Sequence, residues 1–338
     1  MDDLRGRALR DLRISITDRC NFRCGYCMPR EHFGADHVFM EESRLLSFDQ
    51  IETVARAAAS VGVRKIRLTG GEPLLRRGVA DLVGRLTRIG GLDVAMTTNG
   101  TLLGSLAGTL AQHGLRRVTV SLDALDPALF ARMSDTRVGV DRVLSGIDAA
   151  IDAGMGVKLN MVVRRGMNEH EVARVAAHFR STPVVVRFIE YMDVGATNAW
   201  ALDEVVPADE ILALVGSAHP LVAVAPTVLG EVATRYRYAD GSGEIGVISS
   251  VTKPFCGDCT RLRLSADGRL HTCLFTTVGH DLGTLLRAGA GHDDVVQVLG
   301  DLWAVRDDAY SERRSTPGPT VETAGTSGSR FEMSYLGG

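Results

Sequence analysis

The sequence predicts an α/β chain: a partial, TIM-like (β/α)6 barrel followed by a smaller C-terminal α+β domain. Three features carry this expectation. Six short β-type runs alternate with helical patterns, the runs are apolar on one face only, and the alternation fades after about residue 200. Repeated strand–helix units produce parallel strands joined by crossover helices. A doubly wound sheet, covered on both faces, would need strands that are apolar throughout. One-sided strands suit a barrel with helices outside and a polar lumen within. The boundaries expected are 4–215 for the barrel and 216–338 for the C-terminal domain.

The first run, residues 12–17, sets Leu12, Ile14 and Ile16 against Arg13, Ser15 and Thr17, because successive side chains alternate across a strand. Ser47 followed by Gln50 has the form of a capping box. Ile51, Val54, Ala55 and Ala58 then fall at the spacing of a buried helical face, and Gly62 is its stop. Run 63–69 opposes Ile66 and Leu68 to Lys65, Arg67 and Thr69. A helix at 79–89, a strand at 93–98 and a helix at 102–113 follow. Run 117–122 opposes Val118, Val120 and Leu122 to Thr119, Ser121 and Asp123. After a helix at 140–153, run 157–163 opposes Val157, Leu159 and Met161 to Lys158 and Asn160. A helix at 169–179 leads to run 184–190, where Arg187 opposes Val186 and Phe188. Strand-like pieces recur at 235–238, 244–251 and 261–265. Residues 211–230 hold no Asp, Glu, Lys or Arg and reach membrane-spanning length. His219, Pro220 and Pro226 interrupt them, and proline lacks the amide a helix needs, so a short helix followed by an extended segment is expected. Residues 311–330, rich in Ser, Thr, Pro and Gly, are expected to be flexible.

The chain has 338 residues, 45% hydrophobic and 23% charged, with a net charge of −3. That composition is globular, and the charge provides no global field for nucleic acid or anionic membrane. Residues 1–13 lack the apolar run of a secretory signal, so a cytoplasmic location is expected. The charge that matters is local. The lumen side collects Arg13, Lys65, Arg67, Lys158 and Arg187, with Asp123 as the clear counter-charge. Such a set in a dry cavity repels itself and calls for an anionic ligand; solvated charges at strand ends are the bland alternative.

Six cysteines are too few for a disulfide scaffold and fall into two trios. Cys20, Cys24 and Cys27 read C-x-x-x-C-x-x-C after the first strand, where a barrel places its chemistry. Cys256, Cys259 and Cys273 lie in the C-terminal region. Three thiolates on a [4Fe–4S] cluster leave one iron open to a ligand. The second trio is equally open to a structural Cys3His zinc site with His271 or His280.

Cys20-Asn21-Phe22-Arg23-Cys24-Gly25-Tyr26-Cys27 resembles the signature of radical S-adenosylmethionine (SAM) enzymes, and Gly70-Gly71-Glu72-Pro73 resembles their GGEP segment. Within that superfamily, the second cysteine trio, Thr260-Arg261-Leu262-Arg263 and the terminal Gly337-Gly338 resemble the GTP 3′,8-cyclase family over nearly the whole chain. The resemblance implies a lyase acting in the first step of molybdenum cofactor biosynthesis. It further implies S-adenosyl-L-methionine and two [4Fe–4S] clusters as cofactors, the first on Cys20, Cys24 and Cys27 and the auxiliary one on Cys256, Cys259 and Cys273. Tyr26, Gly70, Gly71, Glu72, Ser121 and Met192 match cofactor-side positions. Arg13, Lys65, Arg67, Thr98, Lys158, Arg187, Arg261, Leu262 and Arg263 match substrate-side positions. Arg13, Lys65, Arg67, Lys158, Gly337 and Gly338 are the implied catalytic set. A 5′-deoxyadenosyl radical would take the ribose 3′ hydrogen of GTP, and C3′ would attack guanine C8. The implied partners are GTP, an external electron donor and a second copy in the family's usual homodimer, with no nucleic acid and no membrane. The alternatives are a peptide-modifying radical SAM enzyme with an auxiliary cluster and a zinc-stabilised binding protein.

Overall fold

The computed structural model describes residues 1–226, 230–314 and 330–337. The barrel begins with β1 (Asp11–Ser15), α1 (Phe48–Ser60), β2 (Lys65–Thr69), α2 (Val79–Thr87), β3 (Asp93–Thr98), α3 (Leu103–Gln112) and β4 (Arg117–Ser121). It continues through α4 (Pro127–Ser134), α5 (Val140–Asp152), β5 (Gly156–Val163), α6 (Val172–Phe179) and β6 (Val185–Glu190). The expected strands and helices of this half are all present, with ends shifted by a few residues. The capping box at Ser47 and Gln50 forms in both directions. Helix α4 was not anticipated; its start is written in Asp126-Pro127, where the Asp126 carboxylate accepts the Leu129 amide and Pro127 needs no helical donor.

The C-terminal region adds α7 (Ala208–Gly216), β7 (Leu221–Val224), β8 (Thr234–Tyr238), β9 (Glu244–Ile248), β10 (Arg261–Leu264), β11 (Arg269–His271) and β12 (His280–Asp281). Among the described residues four helices follow: α8 (Gly283–Arg287), α9 (His292–Ala304), α10 (Tyr310–Arg314) and α11 (Met333–Leu336). The described part of the interrupted apolar stretch holds a short helix and a strand, residues 227–229 lying outside it, and among the described residues no helix is long and apolar enough to cross a membrane.

The C-terminal strands do not build a sheet of their own. They extend the barrel sheet at both ends, giving the order β12-β11-β10-β1-β2-β3-β4-β5-β6-β9-β8-β7. Both β10 on β1 and β9 on β6 are parallel. A six-stranded partial barrel has two open edges of unpaired backbone groups, and β9 and β10 satisfy them. Barrel and C-terminal region consequently share one hydrophobic core, from Leu12 and Ile66 to Leu264 and Trp303.

Strand alternation sorts the faces as expected. Leu12, Ile14, Val118, Val120, Leu159 and Phe188 are buried outward beneath the helices. In the lumen, register places Arg263, Arg13 and Arg67 abreast on β10, β1 and β2, while Asp11 stands between Arg261 and Lys65 in the same three strands. Of the segment expected to be flexible, residues 311–314 complete α10 and Arg330 is fixed by Asp193 and Tyr310. The remainder of that segment, and Gly338, lie outside the described residues.

Candidate active site

One cavity at the C-terminal ends of the barrel strands is lined by both cysteine trios, by Arg13, Arg67, Arg187, Arg261 and Arg263, and by Tyr26, Gly70, Gly71, Ser121 and Met192. The first trio sits on the loop after β1. The Cys27 and Met28 amides both donate to the Cys24 carbonyl, and Arg23 ties the loop by donating to the Cys20, Phe22 and Phe33 carbonyls. Gly70 and Gly71 lie against the same loop. A Cβ on Gly70 would overlap the Thr17 carbonyl and one on Gly71 the Arg19 carbonyl, and Gly70 has a φ of +143°. Only glycine brings these backbones together.

Tyr26 donates from its hydroxyl to Asp123 Oδ2 at 2.8 Å, while Asp123 Oδ1 accepts the Val162 amide at 2.8 Å. Burial pushes Asp123 up to about 6, against the hydrogen bond from Tyr26 that works downward. Both oxygens of Asp123 are thus engaged, one in orienting Tyr26 and the other on the β5 backbone. Glu72 turns away from the cavity. Its carboxylate accepts the Thr98 hydroxyl at 2.7 Å and the Asn99 and Leu74 amides at 2.7 and 3.0 Å, and burial pushes it up to about 7. Thr98 lines the cavity, but its proton is given to Glu72.

The cation row is incompletely satisfied. Arg67 Nη1 donates to the Thr97 and Thr119 hydroxyls at 2.9 and 3.0 Å, whereas the buried Nε atoms of Arg13 and Arg67 have no partner among the described residues. Burial pushes Arg187 and Arg263 down to about 10, with Arg67 and Arg261 respectively adding repulsion. Lys65 and Lys158 do not line this cavity, and Lys65 Nζ lies 3.8 Å from Asp11. Leu262 points into the core. Gly337 enters from the C-terminus, its carbonyl accepting Arg263 Nη1 at 2.6 Å.

Within the second trio, Cys259 is in an electrostatic setting of its own. Burial works upward on Cys259, but the Arg261 and Arg306 guanidiniums pull it down to about 6. Cys20 and Cys273 are instead pushed up to about 11 by burial. His271 is packed against the Phe331 and Tyr335 rings, and His280 is exposed on β12. Among the described residues no three His, Cys, Asp or Glu side chains converge on a single-ion position. Both trios open instead into one cavity, a donor arrangement that fits bulky clusters with an accessible iron. Sequence reasoning missed Arg7 and Arg306 here; both also line the cavity.

This barrel, its cysteine loop and its glycine cradle define a radical SAM enzyme. Residues 14–179 match the family model of the radical SAM superfamily, and residues 184–312 match that of molybdenum cofactor synthesis C. A GTP 3′,8-cyclase from Acidothermus cellulolyticus is 49% identical, with 99% of this chain and 98% of the relative covered. One from Xanthomonas axonopodis pv. citri is 53% identical over 94% of each chain, and one from Staphylococcus carnosus 43% identical over 99% and 98%. The chain belongs to the GTP 3′,8-cyclase family. Among solved structures, Streptococcus suis SuiB bound to S-adenosylmethionine superposes with a TM-score of 0.61 over 91% of this chain and 68% of that one. At 16% identity that likeness concerns the fold alone. Membership of the radical SAM superfamily brings S-adenosylmethionine and an iron–sulfur cluster as cofactors.

Proposed function

We propose that this chain converts GTP into (8S)-3′,8-cyclo-7,8-dihydroguanosine 5′-triphosphate, the first step of molybdenum cofactor biosynthesis. The observation that carries the reading is one cavity shared by two cysteine trios and an arginine row in which the Arg13 and Arg67 Nε atoms have no partner among the described residues. Cys20, Cys24 and Cys27 would hold the SAM-binding [4Fe–4S] cluster, and Cys256, Cys259 and Cys273 an auxiliary one beside the guanine. When bound and reduced, the first cluster with SAM supplies a 5′-deoxyadenosyl radical for the ribose 3′ hydrogen. The residues of the chain bind, orient and shield. Tyr26, Gly70, Gly71, Ser121 and Met192 form the SAM side, with Glu72 bracing Thr98 and Asn99 behind them. Arg13, Arg67, Arg187, Arg261 and Arg263 face the triphosphate, for which a guanidinium fork offers paired donors. Lys65 and Lys158 add charge. Burial of the site keeps water from the sugar radical. An external one-electron donor, a homodimer and a cytoplasmic location belong to the same reading.

Anaerobic protein given SAM, a reductant and GTP is expected to release the cyclised nucleotide and 5′-deoxyadenosine. Equal turnover of ATP would refute base recognition. Replacing Arg13 by Met should weaken GTP binding by about 1.5–3 kcal/mol through loss of a charge-assisted bond. The same change should raise the melting temperature of the ligand-free protein, because Arg13 stands between Arg263 and Arg67. A variant that binds GTP normally would remove Arg13 from the clamp.

A pH effect follows from the two lysines. Burial, reinforced by neighbouring cations, pushes Lys65 and Lys158 down to about 8. A bound triphosphate favours their charged forms, so above pH 8 binding takes up protons. GTP affinity should therefore fall as pH rises through 8, by up to about tenfold per pH unit for each lysine. Lys158→Met should flatten the slope. Calorimetric titration in buffers of different ionisation enthalpy measures the uptake, and a pH-independent affinity between 7 and 9 would contradict it.

A further inference from the structure

The first nine residues form a structure of their own beside the second cysteine trio. Asp2 and Ala8 pair as an isolated bridge, and within that turn Asp3 Oδ1 accepts the Arg5 and Arg7 amides at 2.9 Å each. Asp3 Oδ2 receives Arg7 Nε at 2.7 Å and Arg306 Nη1, from just beyond α9, at 3.1 Å. The side chains of Asp3, Arg7 and Arg306 are 0%, 2% and 1% exposed. One carboxylate between two guanidiniums is a buried group with an excess of positive charge, relieved in part by Asp308 on Arg306. Such a group is costly to bury, and hydrophobic packing of similar volume would hold the chain ends as well.

Both arginines are directed at the trio. Arg7 Nη1 donates to the Cys256 carbonyl at 2.8 Å and to the Asp308 carbonyl at 2.7 Å. Arg306 Nη1 donates to the Cys259 carbonyl at 2.8 Å. Arg306 also stacks over Trp303 at 4.5 Å, and the Trp303 indole donates to the Arg7 carbonyl at 2.9 Å. Arg7 and Arg306 line the cavity together with Cys256, Cys259 and Cys273. Arg7 Nη2 is buried and has no partner among the described residues.

We infer that Arg7, locked by Asp3 and seconded by Arg306, is a positioning residue for the auxiliary cluster, fixing the Cys256 backbone and presenting its free Nη2–H to the cluster sulfur. This rests on the auxiliary-cluster reading above. A hydrogen bond to sulfur and a nearby fixed cation both favour the more negative, reduced cluster, so the pair raises its reduction potential. A clamp that merely closes the fold would leave that potential alone.

The test uses full-length protein carrying Cys20→Ala, Cys24→Ala and Cys27→Ala, so that only the auxiliary site loads iron, followed by an EPR-monitored redox titration. Arg7→Gln is expected to lower the reduced-to-oxidised ratio at a fixed potential about tenfold, which is about 59 mV for one electron, and to alter the EPR line shape. Arg7→Lys retains the charge without the fork and should shift the midpoint less. It also serves as the fold-preserving variant if Arg7→Gln does not accumulate. Iron-loaded variants with unchanged midpoint and line shape, even with a lowered melting temperature, would overturn the inference. A triple-alanine background that takes up no iron would instead overturn the auxiliary-cluster reading itself.

Discussion

Replacing Cys20, Cys24 and Cys27 together is expected to abolish SAM cleavage, whereas replacing Cys256, Cys259 and Cys273 should leave cleavage running and stop cyclised product. The asymmetry follows from placement. The first trio shares its loop with Tyr26 and lies against the glycine cradle, and the second lies at β10 beside Arg261 and Arg263, the side proposed for the nucleotide. Loss of the second trio therefore removes the grip on the base while leaving the SAM side intact, so 5′-deoxyadenosine should still form, uncoupled from GTP. Two [4Fe–4S] clusters amount to about eight irons in the parent protein, and each triple variant should fall to about four. Iron and acid-labile sulfide analysis, with chromatography of 5′-deoxyadenosine and nucleotide products, reads all of this at once. Stoichiometric zinc on either trio of metal-replete protein would defeat the assignment.

The barrel was legible because its strands carry their information locally. Arg13, Lys65 and Arg67 alternate with leucines and isoleucines, and that period alone separates lumen from core. Helix α4 had an equally local signal in Asp126-Pro127 that the apolar pattern did not emphasise. What lies far apart in the chain could not be read in this way. Nothing around residues 261–264 says that β10 will pair with β1, yet that pairing is what lines up Arg263 with Arg13 and Arg67. The same distance hides Arg7 and Arg306, 299 residues apart, which meet on the shared carboxylate of Asp3. Residues matched by motif were also sorted by folding: Arg261 and Arg263 reach the cavity while Leu262 between them packs outward, as strand alternation requires. Glu72 and Thr98, which a motif presents as two ligands, form a pair with each other.

Removing Gly337 and Gly338 is expected to leave iron content, fold and SAM cleavage in place while lowering cyclised product at least tenfold. From sequence alone a diglycine end reads as frayed, but the residues before it are seated. Glu332 accepts the Ala196 amide and the Thr197 hydroxyl at 3.0 Å each, and Tyr335 donates to Asp267 at 2.7 Å. Leu336 is fully buried and Met333 lines the cavity. Gly337 then has a φ of +70°, and a Cβ there would overlap Thr69 Cγ2, so this position admits glycine alone. Its carbonyl occupies Nη1 of Arg263, one of the three arginines abreast in the lumen. The tail thus fixes the orientation of a cation proposed to face the triphosphate. Without it GTP should still bind, because the other cations remain, but C3′ would be held less exactly, and misplacement of reacting atoms is heavily penalised in rate. Gly337→Ala should reproduce the deletion, since the added methyl pushes the tail off Thr69. A peptide with the C-terminal sequence, added in excess, should restore part of the product formed by the truncated enzyme, tethering having acted by raising effective concentration. Product formation at the parent rate by the truncated enzyme, under the same anaerobic conditions, would reduce the contact with Arg263 to packing.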